Sequence, residues 1–255
     1  MRAAEDTRDP ELHPRFWEGQ LEAARRGSLA WGFAAFFIGY GGYYLGSFIL
    51  SALISAHVGG FDAANPPQLG PLLLLSFAPN VLLGLAPAVY SWRSGNGLRS
   101  DFGIVPKWRD VRVGVLCGAA ALLASWLLGL VLISLSGQPP AGSGITGLLG
   151  NERTVWLFLF ALFAFLGAPL TEELLVRGAL WGALEHYRLP RYAVLLITAL
   201  FFAFMHMEPW RMPILFAGGI AMGLARMITG RVSASVIAHA TNNLIPALAI
   251  FLAAG

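Results

Sequence analysis

The chain has 255 residues, of which 56% are hydrophobic and only 12% are charged, and its mean hydropathy is +0.65. An ordinary soluble domain carries about twice that charged fraction, so this composition argues against a soluble globular protein. The formal net charge is only +3, and no basic cluster with interleaved aromatic residues indicates a nucleic-acid partner. Cys117 is the only cysteine, which excludes a disulfide framework and a cysteine-based metal site.

The first 27 residues carry mixed charge and contain no apolar core, so they are not typical of a signal peptide. The pair Asp9-Pro10 is a favourable helix start, with aspartate as the N-cap and proline in the first helical position. Phe16, Trp17 and Leu21 then predict a short helix that lies on the membrane surface. We therefore expect this segment to be cytoplasmic or interfacial.

Long apolar runs in the rest of the chain predict an all-α bundle of seven membrane-spanning helices. Their expected positions are residues 29–55, 71–92, 113–136, 154–187, 191–206, 212–229 and 232–254. The fourth run exceeds the ~20 residues of one crossing, so it is either one long tilted helix or two pieces broken near Pro169. The whole forms one membrane domain, in which the helices of residues 28–153 precede those of residues 154–255. The Gly- and Pro-rich stretch 137–153 is expected to be an external connection.

Every second connection between the predicted spans lies on the same side of the membrane. The basic residues are concentrated on the connections of one of these two sides. Thirteen of them lie there: Arg2, Arg8, Arg15, Arg25, Arg26, Arg93, Arg99, Lys107, Arg109, Arg112, Arg188, Arg191 and Arg231. Only Arg153 and Arg211 lie on connections of the other side. Because cytoplasmic loops carry the excess of Lys and Arg, this bias predicts a cytoplasmic amino terminus. We expect a multi-pass integral protein of a bacterial-type cell membrane.

Three charges interrupt the fourth apolar run. Glu172 and Glu173 are the only two acids that fall clearly within a predicted span, and Arg177 follows on the next turn. Ionisable groups at membrane depth are costly, so they usually pair or line a wet cavity. Glu173 and Arg177 are four residues apart on one helix face, which favours an ion pair, whereas Glu172 points about 100° away. This division makes Glu172 the candidate catalytic carboxylate. Alternatively, all three charges could serve only to hold helices together.

Two further polar positions lie on later spans. His206 is the last residue of the fifth predicted span, and Phe202 lies one turn earlier. His239 and Asn243 are four residues apart in the last span, so both project from one face. Asn242 could share that face, and the sequence does not exclude an exchange of roles with Asn243. With Glu172, these side chains supply a base, an orienting partner and hydrogen-bond donors, the groups that water-mediated amide hydrolysis needs.

The motifs Glu172-Glu173-xxx-Arg177, Phe202-xxx-His206 and His239-xxx-Asn243, in this order on three late spans, resemble those of the CAAX-protease and bacteriocin-processing family, also called CPBP or Abi. That family includes the Ras-converting prenyl-protein endopeptidases and is catalogued as intramembrane metalloproteases. Each motif alone is weakly specific, but the ordered set is strong. The resemblance covers roughly residues 154–254, and no motif position departs from the pattern.

The resemblance implies an intramembrane endopeptidase that hydrolyses a peptide bond in a membrane-associated or lipidated peptide. Glu172 would be the general base that activates water, and His206 would help to hold that water. His239 and Asn243 would form the oxyanion hole, with Glu173 and Arg177 in support. The resemblance also implies a membrane-embedded cavity that opens to the cytoplasm.

Metal dependence stays open at this stage. Glu172, His206 and His239 could bind zinc as three protein ligands and leave a fourth position for water. A base glutamate, a histidine and two hydrogen-bond donors could also hydrolyse an amide without metal. The chain lacks a His-Glu-x-x-His helix, the stronger zinc signature, so the metal-free reading is slightly favoured.

Other functions must be weighed against peptidase activity. All five aspartates lie outside the predicted spans, so an intramembrane aspartyl protease has no dyad, and no serine is flanked as in a rhomboid. A bacteriocin-immunity or scaffold protein could keep the pocket and bind without cleaving. A proton-coupled transporter could use Glu172 and the histidines as a relay, but the absence of an internal repeat disfavours it. The substrate's identity, its prenylation and the oligomeric state are not predicted.

Overall fold

The computed structural model describes residues 31–58, 74–137 and 154–253. Within these ranges the chain is helical and contains no strand, which confirms the all-α expectation for them. The helices are α1 Gly32–Val58, α2 Asn80–Ser94, α3 Leu98–Asp101, α4 Trp108–Ser136, α5 Val155–His186, α6 Arg191–Met205, α7 Met212–Thr229 and α8 Val232–Ala253. A single 3₁₀ turn, Pro209–Arg211, connects α6 to α7. The predicted surface helix near the amino terminus and the connection 138–153 lie outside the described residues.

Four segments are long and apolar enough to cross a membrane: Gly32–Ala56, Trp108–Ser136, Val155–His186 and Pro209–Thr229. They indicate an integral membrane protein. The helix α6 is apolar but shorter, as expected for the fifth span. The count of seven crossings and the orientation in the membrane stay predictions.

The described structure shows how two helices begin. Residues 74 and 75 are helical, residues 76–79 form turns in which the Phe77 amide donates to the Leu74 carbonyl at 3.0 Å, and α2 follows from Asn80. The predicted start of this span near residue 71 lies outside the described residues. The helix α4 starts five residues early, at Trp108. There the Asp110 carboxylate accepts the Lys107 amide N–H at 2.8 Å, which satisfies a backbone donor at the start of the helix.

The helix α5 is continuous, so of the two alternatives left open by the sequence the single long helix is formed. Two π-helical segments, Phe163–Gly167 and Leu174–Leu180, widen it. In the first, the Ala168 amide donates to the Phe163 carbonyl five residues back. The next amide in that register would belong to Pro169, which has no N–H. The wide turn therefore accommodates the proline without ending the helix, and it leaves the carbonyl of Ala164 free for another donor.

Close backbone contacts bring α4 against α8. A Cβ atom at Gly118 would lie 2.5 Å from the Ala238 carbonyl oxygen, and one at Gly114 would lie 2.8 Å from that of Ala234. Only glycine permits this approach, which is the usual role of small residues four apart in membrane helices. The largest buried cluster lies between α1, α2, α5, α6, α7 and α8. Large side chains on the outer faces, Leu116 and Trp126 of α4 among them, remain exposed, as expected for contact with lipid.

The end of the bundle that carries the connections α2–α4 and α7–α8 is closed by an apolar cluster. Phe102, Leu174 and Val232 are buried there, and the Val232 amide donates to the Phe102 carbonyl at 2.8 Å. Beside them, buried Asp110 accepts hydrogen bonds from Arg231 at 2.8 Å and Ser233 at 2.9 Å. These contacts tie the starts of α4 and α8 to the loop that follows α3. We refer to Phe102, Leu174 and Val232 as the apolar plug.

Candidate active site

The motif residues from three distant parts of the chain surround one cavity. Its volume is about 290 Å³. Glu172 reaches it from α5, His206 from the carboxyl end of α6, and His239 and Asn243 from α8. The structure thus brings together the four residues that the sequence analysis assigned to catalysis. Their individual roles stay predictions.

Glu172 and His206 face each other across this cavity. Nδ1 of His206 lies 2.7 Å from the Phe202 carbonyl oxygen, and because a carbonyl can only accept, Nδ1 carries the proton. In the neutral form of the ring Nε2 is then the acceptor, and it lies 4.0 Å from Oε2 of Glu172. Oε2 is buried and accepts no hydrogen bond from the described residues. Two acceptors at this separation suit one water molecule that donates to both at about 2.8 Å.

Glu173 and Arg177 form the predicted ion pair. Both side chains are fully buried, with Nη1 of Arg177 3.0 Å from Oε1 of Glu173. Nη2 of Arg177 donates to the Gly219 carbonyl of α7 at 2.6 Å. The guanidinium also lies 4.9 Å from the centre of the Phe202 ring, a cation–π distance. The pair therefore joins α5 to α6 and α7.

His239 is hydrogen-bonded to Glu173, a contact that the sequence analysis did not predict. Its Nδ1 lies 3.0 Å from Oε1 of Glu173, the same oxygen that accepts from Arg177. A carboxylate can only accept, so Nδ1 of His239 carries the proton and Nε2 is the atom left for the cavity. The ring is buried and packs edge-on against Phe202, at 5.3 Å between centroids. Tautomer and orientation of this histidine are thus fixed by α5 and α6.

Asn243 satisfies the carbonyl that the proline of α5 leaves free. Its Nδ2 donates to the Ala164 oxygen at 3.0 Å, which is where the missing N–H of Pro169 would otherwise bond. Asn242 also lines the cavity, and its amide donates to Oδ1 of Asn243 at 3.2 Å. The oxygen of Asn242 is buried and accepts no hydrogen bond from the described residues. The second N–H of Asn243 remains for a ligand, and whether Asn242 shares the role of Asn243 stays a prediction.

The candidate zinc ligands are not grouped as a metal site in this arrangement. Two zinc ligands in tetrahedral geometry lie about 3.3 Å apart, less than the 4.0 Å between Glu172 and His206. Among the described residues, no three His, Cys, Asp or Glu side chains are grouped so that they could hold a metal ion. His206 and His239 each use Nδ1 for a hydrogen bond and keep Nε2 for the cavity, the pattern that metal-binding histidines also show. Zinc bound by Glu172, His206 and His239 stays a prediction.

One charged lining residue was not predicted from the sequence. Arg211, which the positive-residue pattern placed on an external connection, also lines the cavity. Its Nη1 pairs with Glu208 at 2.6 Å, and its side chain is 35% exposed. No motif contains it. Only its position five residues after His206, in the same connection, could have indicated that it lies near the site.

The carboxyl-terminal part of the chain matches a known family. Residues 154–245 match the family model described as Type II CAAX prenyl endopeptidase Rce1-like. The matched segment contains all of the motif residues, from Glu172 to Asn243, so the resemblance to the CAAX-protease family is confirmed over this segment. No curated protein and no solved structure matches the chain. The family and the apolar helices together indicate a membrane-embedded protease.

Proposed function

We propose that the protein is an intramembrane endopeptidase in which Glu172 activates the attacking water. The observation that carries this proposal is the pair of facing acceptors, Oε2 of Glu172 and Nε2 of His206, 4.0 Å apart at the cavity wall. A water that donates to both atoms has its lone pairs directed away from them, into the cavity. A substrate carbonyl placed there meets a polarised nucleophile.

The reaction follows from which atoms can give or take protons. Glu172 removes a proton from the water as its oxygen bonds to the scissile carbonyl carbon, and the carbonyl oxygen becomes an oxyanion. The protonated carboxyl of Glu172 then gives that proton to the leaving amine as the C–N bond breaks. No other group has to exchange protons with solvent during the cycle. The proton that Glu172 takes from the water is the one that it gives to the amine, so atoms and charges balance.

Two donors can stabilise the oxyanion. Asn243 offers the N–H that does not bond to Ala164. His239 already uses Nδ1–H for Glu173, so it can donate from Nε2 only as the doubly protonated imidazolium. The carboxylate of Glu173, which already pairs with Arg177, would then share its single negative charge between the two cations. The proposed oxyanion hole thus combines a neutral amide with a charge-assisted donor, the stronger of the two.

The experiment that tests this function is a cleavage assay on purified protein in detergent. Wild type and Glu172→Ala are incubated with a farnesylated CAAX peptide and with a library of membrane peptides, and products are identified by mass spectrometry. We expect cleavage by the wild type and its loss in the variant. Peptides that stay intact while binding is retained would support the scaffold or immunity function instead. Inactivation by a chelator, with stoichiometric metal in the purified protein, would contradict the metal-free mechanism.

A further inference from the structure

One face of α7 forms a wall of the cavity. Gly218 lines it, with Leu215 three residues earlier and Met222 four residues later on the same helix face. Apart from the hydroxyl of Ser125, the side chains that α4 and α7 contribute to the lining are apolar, namely Leu122, Ile214, Leu215 and Met222. This part of the cavity therefore suits an uncharged, apolar group.

Gly218 leaves open space in this wall. The residue is buried, yet a Cβ atom built on it would meet no described atom nearer than Cε of Met222, at 3.9 Å. A buried residue with so much room faces an internal space, and because Gly218 lines the cavity, that space is the cavity. Protein interiors are otherwise close-packed, so the absent side chain leaves volume that a ligand can occupy.

The neighbouring glycine has a different role. A Cβ atom at Gly219 would lie 3.0 Å from both the Cα atom and the carbonyl oxygen of Ala199 in α6. Close packing of α6 against α7 therefore explains why position 219 is a glycine. None of the described residues approaches a Cβ atom at Gly218 in this way. Helix packing thus explains one glycine of the pair and not the other.

A series of hydrogen bonds fixes this part of α7 relative to the candidate oxyanion hole. The Gly219 carbonyl accepts from Arg177 at 2.6 Å, and Arg177 donates to Glu173 at 3.0 Å. The same oxygen of Glu173 lies 3.0 Å from Nδ1 of His239. Gly218 is thus only one residue and three hydrogen bonds away from His239, so the open space adjoins the catalytic candidates.

We infer that Gly218 sets the size of the substrate side chain that the cavity accepts beside the scissile bond. The side chain is uncharged and apolar, and it packs against Leu215 and Met222 on the face of α7. The absent side chain at position 218 leaves room for a branched or aromatic residue of the substrate. The inference rests on the proposed peptidase function for the word substrate, but binding of the side chain does not require cleavage.

Alanine substitutions test whether position 218 is open. Gly218→Ala adds one carbon in open space, so the unfolding midpoint in detergent should stay equal or rise, since alanine favours helix. Gly219→Ala adds the same carbon against Ala199 and should lower the midpoint. A loss for Gly218→Ala as large as that for Gly219→Ala would show that position 218 is packed, and it would overturn the inference.

Cleavage profiles then measure the size limit. Wild type, Gly218→Ala and Gly218→Val receive membrane peptides that carry Ala, Val, Leu or Phe at each position around the scissile bond. At one of these positions we expect Gly218→Val to lower kcat/KM for Leu and Phe relative to Ala by about 10–200-fold, and Gly218→Ala to change it less in the same direction. Gly218→Ala keeps the test available if the valine variant does not fold.

The control for these profiles is Gly129→Val in α4, at a glycine outside the cavity lining with no described atom within 4 Å of an added Cβ. It should leave the preference among the peptides unchanged. An unchanged preference in active Gly218 variants would overturn the inference. An equal loss for every peptide would also overturn it, because the added side chain would then obstruct the catalytic groups rather than a subsite.

Binding separates this inference from the proposed function. The affinities of the same peptides, labelled with a fluorophore, are measured by anisotropy for Glu172→Gln with and without Gly218→Val or Gly218→Ala. We expect the Gly218 substitutions to weaken binding of the Leu and Phe peptides and to spare the Ala peptide. If wild type cleaves no peptide while this pattern is found, the proposed peptidase function fails and the subsite stands. Affinities that do not depend on the size of the peptide residue would overturn the subsite.

Discussion

The carboxylate of Glu173 and the imidazole of His239 meet at 3.0 Å in the centre of the helix bundle. The same carboxylate oxygen accepts from Arg177, so one acidic group holds two cationic or potentially cationic partners. The second oxygen of Glu173 is buried and accepts no hydrogen bond from the described residues. The residue that the sequence assigned to a structural ion pair therefore also orients a catalytic candidate.

Replacing Glu172 by glutamine should remove activity and leave the fold intact. The amide keeps the shape of the side chain but cannot take a proton from water, and Oε2 of the carboxylate accepts no hydrogen bond from the described residues. A general base contributes about 10²–10⁴-fold, so we expect kcat to fall by that factor. Peptide cleavage and the unfolding midpoint in detergent are measured together. Retained activity would show that another group activates the water.

Replacing Glu173 by glutamine should instead destabilise the protein. Arg177 would keep its charge in a fully buried position without a compensating carboxylate. Removing one partner of a buried pair costs about 3–5 kcal/mol in the free energy of unfolding. Unfolding in detergent compares this variant with Glu172→Gln, its neighbour with the same chemical change. Equal midpoints for the two variants would refute the division of roles.

Asn243→Ala should impair both stability and activity, for different reasons. The variant leaves the Ala164 carbonyl without its donor, at a cost of about 1–3 kcal/mol, and it removes the proposed oxyanion donor. Pro169→Ala returns an amide N–H to the position opposite that carbonyl. In a double-mutant cycle, Pro169→Ala should stabilise the Asn243→Ala protein more than it stabilises the wild type.

Activity in that cycle separates the two roles of the asparagine. We expect the double variant to regain stability but not cleavage, because alanine at position 169 cannot reach the oxyanion. Recovery of cleavage along with stability would show that Asn243 acts only as a structural donor to α5.

Gly118→Ala should loosen the contact between α4 and α8. The added Cβ atom would lie 2.5 Å from the Ala238 carbonyl oxygen, which is closer than van der Waals contact allows. Gly129→Ala in the same helix is the matched control, because no atom lies within 4 Å of its added Cβ. We expect a lower unfolding midpoint for Gly118→Ala and an equal or higher one for Gly129→Ala, since alanine favours helix. Equal losses would show that the contact does not limit stability.

Part of the candidate site could be predicted from single helices. The spacing of four between Glu173 and Arg177 fixes their shared face, so their ion pair followed from helix periodicity alone. Helix periodicity did not predict whether α5 is continuous or broken. Whether Pro169 breaks the helix depends on whether a donor elsewhere satisfies the freed carbonyl, and Asn243 supplies it from 79 residues away.

The sequence by itself determined an apolar helical chain, its approximate spans, the few polar residues within them and the end that carries the basic residues. Periodicity determines angles around one helix axis, but it does not determine the rotation or depth of one helix against another. Only the tertiary structure therefore decided that His239 bonds to Glu173 across 66 residues, that Asn243 donates to the Ala164 carbonyl within α5, and that Glu172, His206, His239 and Asn243 line one cavity.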